Sequence, residues 1–207
     1  MKNDTFRSND VVKILGTPQR RVVNAVDKGL VVPKVGASGA GSKREYDYVN
    51  LLEFGLVEAL FDLGQVLHQV KRIVTELREA GDFREWAEDW DGYFSKQAKR
   101  LLDWYNQQKH QSSRPLYALD SGDLNTVKDA LRPEKPTGIL FYTFMEDGSS
   151  KKRIVPWEMK TPFDEANFLI APFLYEDMVA GKGLIIVNLG KIKEKIDASL
   201  EAYEAGE

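Results

Sequence analysis

Apolar residues recur at helical spacing near the start of the chain, and capping residues and glycines interrupt the pattern. The pattern predicts a first helix that carries Val11, Val12, Ile14 and Leu15, with Ser8, Asn9 and Asp10 as possible N-caps and Gly16 as its left-handed stop. Thr17 can cap a second helix, Pro18 fits its first turn, and Gly29 closes it. Two short helices separated by a tight turn are therefore predicted.

The next residues predict a hairpin followed by two longer helices. Leu30–Val35 is typical of a strand, "GASGAG" is too rich in glycine for regular structure, and Arg44–Tyr46 can return as the partner strand. Tyr48–Leu63 is apolar nearly all round, which indicates a buried helix, and Val66–Leu77 has the spacing of an amphipathic helix. Helix, turn, helix, hairpin and helix together outline a winged helix-turn-helix.

The second half of the chain follows a different pattern. A long helix with an aromatic stripe is predicted from Asp82 to His110, and "QSSRP" resembles a linker. Beyond it we predict strands at "PLYAL", "TGILFYTFM", "KKRIVPW" and "GKGLIIVNL", a capped helix at "SGDLNTVKDAL", and a final helix at Lys191–Tyr203, while "NFLIAPFLY" is ambiguous. These elements predict a small α+β domain without repeats.

The predicted fold class is therefore α+β, with three parts. Residues 1–80 form a mostly helical winged helix-turn-helix domain, and residues 81–111 form a long linking helix. Residues 112–207 form a small α+β domain.

Composition narrows the class of protein. No apolar run reaches the length of a membrane span, and the start "MKNDTFRSND" lacks the apolar region of a signal peptide, so we expect a soluble, cytoplasmic protein. The absence of cysteine excludes thiolate metal sites, and the two histidines, His68 and His110, are far apart. We expect no metal site and no cofactor.

Charge is unevenly distributed along the chain. Residues 1–50 hold nine Lys or Arg against five Asp or Glu, a net charge of +4, so the remainder carries −7 of the total of −3. A basic N-terminal face beside an acidic body suits a protein that binds nucleic acid phosphates. Charge fluctuation in an ordinary globular protein is the alternative explanation.

The N-terminal third resembles the MerR family of transcriptional regulators. The resemblance rests on the spacing of Gly16 and Gly29, on "KGLVVP" after the second helix, and on Arg44, Tyr46 and Asp47 before the next helix. It implies double-stranded DNA as partner, with recognition helix 17–28 in the major groove and wing 34–46 on the flanking backbone. Where the family usually carries an arginine and two aromatics, this chain has "VNA" at 23–25, so we expect the wing to carry a larger share of the affinity.

The residues expected to contact DNA lie on the recognition helix and the wing. They are Thr17, Gln19, Arg20, Arg21, Asn24, Lys28, Lys34, Ser42, Lys43, Arg44 and Tyr46. A solvated helix face is the alternative for Arg20 and Arg21.

The long helix is a candidate dimerisation element. Its apolar residues for this role are Phe83, Trp86, Trp90, Phe94, Leu101 and Tyr105. In the MerR family such a helix pairs antiparallel with its twin, which implies a homodimer on two half-sites. Two alternatives remain: Trp86, Trp90 and Trp104 pack against the C-terminal domain of their own chain, or the aromatic residues form a pocket for a flat ligand.

No motif for catalysis is recognisable, because "GKG" at 181–183 lacks the neighbours of a phosphate-binding loop, and we expect no enzyme. We predict a homodimeric transcriptional regulator whose C-terminal domain binds a small organic effector or a protein partner. An architectural or DNA-segregation protein that uses the winged module as an anchor is the first alternative. A protein-interaction module that binds no DNA is the second.

Overall fold

A computed structural model of the chain describes residues 5–36, 43–111, 138–155 and 181–206. The chain forms two compact units: one comprises Met1–Ala87 together with Leu189–Glu207, and the other comprises Glu88–Asn188. This grouping differs from the predicted division, because the last helix belongs with the N-terminal residues and not with the C-terminal domain.

The first unit is mainly helical. Its elements are β1 (Phe6–Arg7), α1 (Ser8–Leu15), α2 (Gln19–Asp27), β2 (Glu45–Tyr46), α3 (Tyr48–Asp62), α4 (Leu67–Ala80) and α5 (Asp82–Glu88), with the returning C-terminal helix, which we number α7 (Leu189–Ala205). The second unit contains α6 (Trp90–Gln111), β3 (Ile139–Met145), β4 (Ser150–Val155) and β5 (Gly181–Asn188).

The turn between α1 and α2 forms as predicted at Gly16. This residue adopts a φ of 60°, and its N–H donates to the carbonyl of Lys13, which ends α1. At the other end of α1 the Asp10 carboxylate accepts the N–H of Arg7 at 2.8 Å. The predicted cap at Thr17 is wrong: Pro18 occupies the N-cap of α2, and no side-chain hydrogen bond caps that helix.

The predicted strand at Leu30–Val35 is also wrong. Within it only Val35 forms a bridge, to Glu45, and β2 pairs instead with β1 through Phe6–Tyr46 and Arg7–Glu45. Leu30 and Val31 are fully buried without a strand partner. The apolar run therefore reflects burial of an irregular segment, which local periodicity cannot distinguish from a strand.

The core of the first unit surrounds α3. The helix is apolar on most sides, as predicted, and its leucines Leu51, Leu52, Leu56 and Leu60 are at most 1% exposed. Helix α4 packs on it, and α7 packs on both α1 and α3. These packed helices cover α3, which explains why its sequence lacks a polar face.

The second unit places α6 with a three-stranded antiparallel sheet in the order β4-β3-β5. Central β3 is the most buried strand, and the hydroxyl of Tyr93 on α6 donates to the carbonyl of Ile154 on β4 at 3.4 Å. The single helix predicted from Asp82 to His110 is broken at Asp89, whose carboxylate accepts the N–H of Gly92 at 3.0 Å and starts a new helix.

The α+β class is confirmed by helices in the first unit and by strands with a helix in the C-terminal part. The predicted strand "PLYAL", the helix "SGDLNTVKDAL" and the ambiguous "NFLIAPFLY" lie outside the described residues. In the described ranges no helix is both long and apolar enough to cross a membrane.

Candidate nucleic-acid interface

One face of α2 buries Val22 and Ala25 in the core, and the opposite face presents polar side chains to solvent. The exposed set continues to the first residue after the helix and comprises Gln19, Arg20, Arg21, Asn24 and Lys28. Residues three and four apart share one side of a helix, so Arg20 and Arg21 meet Asn24, and Asn24 meets Lys28. The structure therefore brings Arg20, Arg21, Asn24 and Lys28 together on one surface, which we call the α2 face, while Gln19 is exposed at the start of the helix.

The cations of the α2 face are available for an external anion. In the part of the chain that the structure describes, Arg20, Arg21 and Lys28 form no ion pair. Unpaired exposed arginines and lysines are the groups that neutralise DNA phosphates, and Gln and Asn side chains can read base edges. This chemistry suits a nucleic-acid surface.

Two of the predicted contact residues lie in the interior. Thr17 is 7% exposed, and Tyr46 is 1% exposed with its ring 5.8 Å from that of Phe54. Neither side chain can reach DNA in this arrangement, so the expectation of contacts from Thr17 and Tyr46 is corrected. Their burial follows from the turn and from β2, which fix both residues against the core.

Arg44 at the base of the wing is paired with the recognition helix. Its Nη2 lies 2.9 Å from Oδ1 of Asp27, the last residue of α2, and both side chains are partly exposed. The pair ties the wing base to the end of α2. Since its charge is already partly neutralised, Arg44 is less available to a phosphate than Arg20 or Arg21.

The remaining wing residues surround a single bridge. Val35 and Glu45 exchange two backbone hydrogen bonds of 3.1 Å, and the side chains of Lys34 and Lys43 are exposed on either side of the loop. Ser42 lies outside the described residues. Two exposed lysines thus lie beside the Val35–Glu45 bridge.

A buried polar network holds the segment between α2 and the wing. The amide of Asn50 accepts the N–H of Lys34 at 3.1 Å and donates to the carbonyl of Val32 at 2.9 Å. Arg78 of α4 donates to the carbonyl of Leu30 at 3.0 Å. These bonds satisfy backbone groups that have no strand partner, and they fix the path of the chain into the wing.

Glu53 joins the two halves of this network. Its carboxylate accepts from Asn50 at 3.0 Å and pairs with Arg78 at 3.1 Å. Burial raises the pKa of Glu53 above its ordinary value, although the charge of Arg78 and the hydrogen bonds from Asn50 and Arg78 oppose the shift.

Sequence reasoning missed Asn50, Glu53 and Arg78. A signal was present, because Asn50 and Glu53 are the polar residues, three apart, in the apolar stretch Val49–Val57, and buried polar groups need partners.

The residues predicted for dimerisation are divided between the two units. Phe83 and Trp86 belong to the first unit and are at most 4% exposed, with ring centroids 5.8 Å apart. Phe94 on α6 is 4% exposed and packs edge-on against the half-buried Trp90. The side chains of Leu101 and Tyr105 lie outside the description. Phe83, Trp86 and Phe94 are thus buried within their own chain, whereas the sequence predicted them as dimerisation residues.

Within the described ranges no three His, Asp or Glu side chains are grouped closely enough to hold a metal ion.

A helix-turn-helix whose second helix exposes Arg20, Arg21 and Lys28, without an ion pair among the described residues, has the features of a DNA-binding domain of the helix-turn-helix class. Residues 6–77 match the family model described as MerR HTH family regulatory protein. The N-terminal domain of this chain is therefore a MerR-type helix-turn-helix domain, as the sequence predicted.

Curated relatives match a part of the chain of similar length. Uncharacterized HTH-type transcriptional regulators of Mycobacterium bovis and of Mycobacterium tuberculosis are 32% identical over 77 residues, which is 37% of this chain and 34% of each relative. The match thus spans about a third of the length of these relatives.

Proposed function

We propose that this chain is a sequence-specific, DNA-binding transcriptional regulator that acts as a homodimer in the cytoplasm. The observation that carries the proposal is the α2 face, where Arg20, Arg21 and Lys28 are exposed and unpaired among the described residues, in a domain of the MerR type. In this arrangement α2 enters the major groove, and Lys34 and Lys43 approach the flanking backbone.

The network around Asn50 supports this proposal because it fixes the wing relative to α2. Asn50 bonds to the backbone on both sides of Pro33, and Asp27 holds Arg44. A reader whose wing and helix are fixed before binding loses less conformational entropy when it meets DNA.

We include dimerisation in the proposal because a DNA site with two-fold symmetry is read by two recognition helices, one from each protomer. We assign dimerisation to the part of α6 that follows Phe94, because Phe83, Trp86 and Phe94 are buried within their own chain. We assign effector or partner binding to residues 88–188, which lie outside the family-model match at residues 6–77.

Binding of a fluorescent duplex of random sequence across a salt series tests the proposal. We expect binding that weakens linearly in log–log form with rising salt, with nonspecific dissociation constants of about 10⁻⁶ to 10⁻⁴ M. Arg21→Ala should reduce both the affinity and the slope, whereas Lys195→Ala, which removes an exposed charge from α7, should change neither. Absence of binding at low salt would instead favour a protein-interaction module.

A further inference from the structure

The C-terminal helix α7 is built into the DNA-binding domain at a site that demands a glycine. It packs on α1 and α3, and a Cβ at Gly55 of α3 would lie 2.5 Å from Cγ2 of Ile192 and 3.1 Å from Cδ1 of Ile196. Real Cβ atoms do not approach so closely, so a larger residue at position 55 would force α7 outward. Gly55 thus allows the two helices to meet.

A hydrogen bond joins the far end of α7 to the start of the helix-turn-helix. The hydroxyl of Tyr203 donates to Oδ1 of Asp10 at 2.9 Å, while Oδ2 of the same carboxylate accepts the N–H of Arg7 at 2.8 Å. The carboxylate of Asp10 therefore accepts one hydrogen bond from the backbone at the start of α1 and one from the last turns of α7. Undocking of α7 would remove one partner from the group that holds the start of α1.

A second polar cluster ties α7 to α3. The hydroxyl of Tyr48 donates to Asp197, and Lys193 lies 2.8 Å from that hydroxyl and 2.6 Å from the other oxygen of Asp197. Burial, the hydrogen bond to Asp197 and the charge of Asp197 raise the pKa of Tyr48 well above its ordinary value, so the hydroxyl stays protonated as a donor. Contacts at Asp10, Tyr48 and Gly55 hold α7 along its length.

The chain connects α7 directly to the last strand of the second unit. Residues 88–188 are inserted between two parts of the first unit, and β5 ends at Asn188 directly before α7 begins at Leu189. No linker residue separates the sheet from the helix. One peptide bond, between Asn188 and Leu189, therefore joins α7 to β5.

We propose that α7 regulates DNA binding by the helix-turn-helix. In its docked position, seated on Gly55 and bonded to Asp10, it holds α1 in the arrangement that binds DNA. Its release, driven from residues 88–188, lowers DNA affinity. This inference rests on the proposed function, since it names the regulation of the same DNA-binding surface.

Helix physics makes α7 suitable for this role. Most of the stability of a helix in a protein comes from tertiary packing, so docking and folding of α7 are coupled. If the docked form binds DNA more tightly by a given factor, DNA must favour docking by the same factor. The coupling can therefore be measured as the effect of DNA on docking of α7 or as the effect of docking on DNA affinity.

The full chain allows a direct measurement because it contains no native cysteine. Ile196→Cys places one thiol at a position that is 3% exposed, where labelling by a thiol reagent requires undocking of α7. Saturating random-sequence duplex should slow this labelling about tenfold, within the usual range of allosteric coupling. Ala198→Cys on the exposed side of the same helix is the control, and duplex should leave its labelling rate unchanged.

A packing variant measures the same coupling from the DNA side. Gly55→Leu adds a side chain under Ile192 and keeps a good helix former in α3, so it should accelerate labelling of the Ile196→Cys thiol. It should weaken duplex binding about tenfold at an unchanged salt slope, since every phosphate-binding side chain is retained. Ala198→Leu is the matched control and should bind as the parent does.

Two results would overturn the proposal. In the first, duplex binds the parent chain but leaves the labelling rate of the Ile196→Cys thiol unchanged. In the second, Gly55→Leu accelerates labelling but keeps a duplex affinity within about twofold of the parent. Failure of the proposed function is distinct from both, because it would appear as absence of duplex binding by the unsubstituted chain.

Discussion

The cations of the interface differ in their surroundings, and this difference predicts unequal contributions to DNA binding. Arg20 is exposed with no ion pair in the described part of the chain, whereas Arg44 lies 2.9 Å from Asp27. Asp27 thus acts on the wing base as a partner that neutralises Arg44 and fixes its position. The two arginines resemble each other in the sequence, and only the fold distinguishes them.

We expect Arg20→Ala to weaken duplex binding about tenfold and to lower the log–log salt slope by about 0.9 for each phosphate that the arginine neutralises. Arg44→Ala should change the slope by less than half as much, because Asp27 already satisfies part of its charge. Fluorescence anisotropy across a salt series measures both effects. An equal decrease of slope in the two variants would show that Arg44 leaves Asp27 to bind phosphate.

Glu53 predicts a pH dependence of folding stability. Burial is the largest influence on this carboxyl and raises its pKa in the folded state, so the folded chain holds the proton more tightly than the unfolded chain. The resulting stability is complete below the ordinary carboxyl pKa and is lost as the pH rises through the raised value. Other carboxyls titrate as well, so a comparison with a variant is needed.

Denaturant unfolding of the parent and of Glu53→Gln across acidic to neutral pH isolates this contribution. We expect the stability of the parent relative to Glu53→Gln to decrease as the pH rises. A difference that increases with pH would show that Arg78 and Asn50 outweigh burial, and that the pKa of Glu53 is lowered.

At the scale of elements, local signals predicted those helices whose ends are set by local residues. Gly16 ends α1 as expected, and the apolar pattern of α3 predicted a buried helix that the structure confirms. The segment after α2 was misread as a strand because Leu30 and Val31 are buried through bonds from Asn50 and Arg78. Those partners are distant in sequence, and no local pattern contains them.

The turn of the helix-turn-helix allows a clean test at this scale. Gly16 has a φ of 60°, and a Cβ there would meet no atom within 4 Å. Gly16→Ala should therefore cost about 1 kcal/mol through backbone conformation alone, and Gly16→Asn should cost less because asparagine tolerates the left-handed region. Denaturant unfolding measures both, and equal stabilities of parent and Gly16→Ala would contradict the assigned turn.

At the scale of the whole molecule, the order of the elements along the chain does not match their grouping. The amphipathic pattern of α7 predicted a helix, but it could not show that Ile192 and Ile196 meet Gly55. A sequence-based division into consecutive domains therefore separated α7 from the unit that it completes. Helical periodicity indicates that a face is buried and does not identify its partner.

Removal of residues 189–207 should destabilise the first unit. Leu189 and Ile196 are at most 3% exposed, and loss of two such side chains should cost at least about 3 kcal/mol. Hydrogen exchange of the α1 amides measures the effect, and a peptide of residues 189–206 added in trans should restore protection. Unchanged protection without α7 would show that α1 and α3 form a stable core by themselves.

Selection of bound duplexes from a random pool by the unsubstituted chain tests the proposed function most directly. We expect an enriched motif with two related half-sites whose centres lie about one helical turn, or a multiple of it, apart, as a homodimeric reader requires. The Arg20→Ala chain should enrich the same motif from about tenfold weaker binding. Retention of duplexes without any enriched sequence would contradict a sequence-specific regulator and favour an architectural DNA-binding protein.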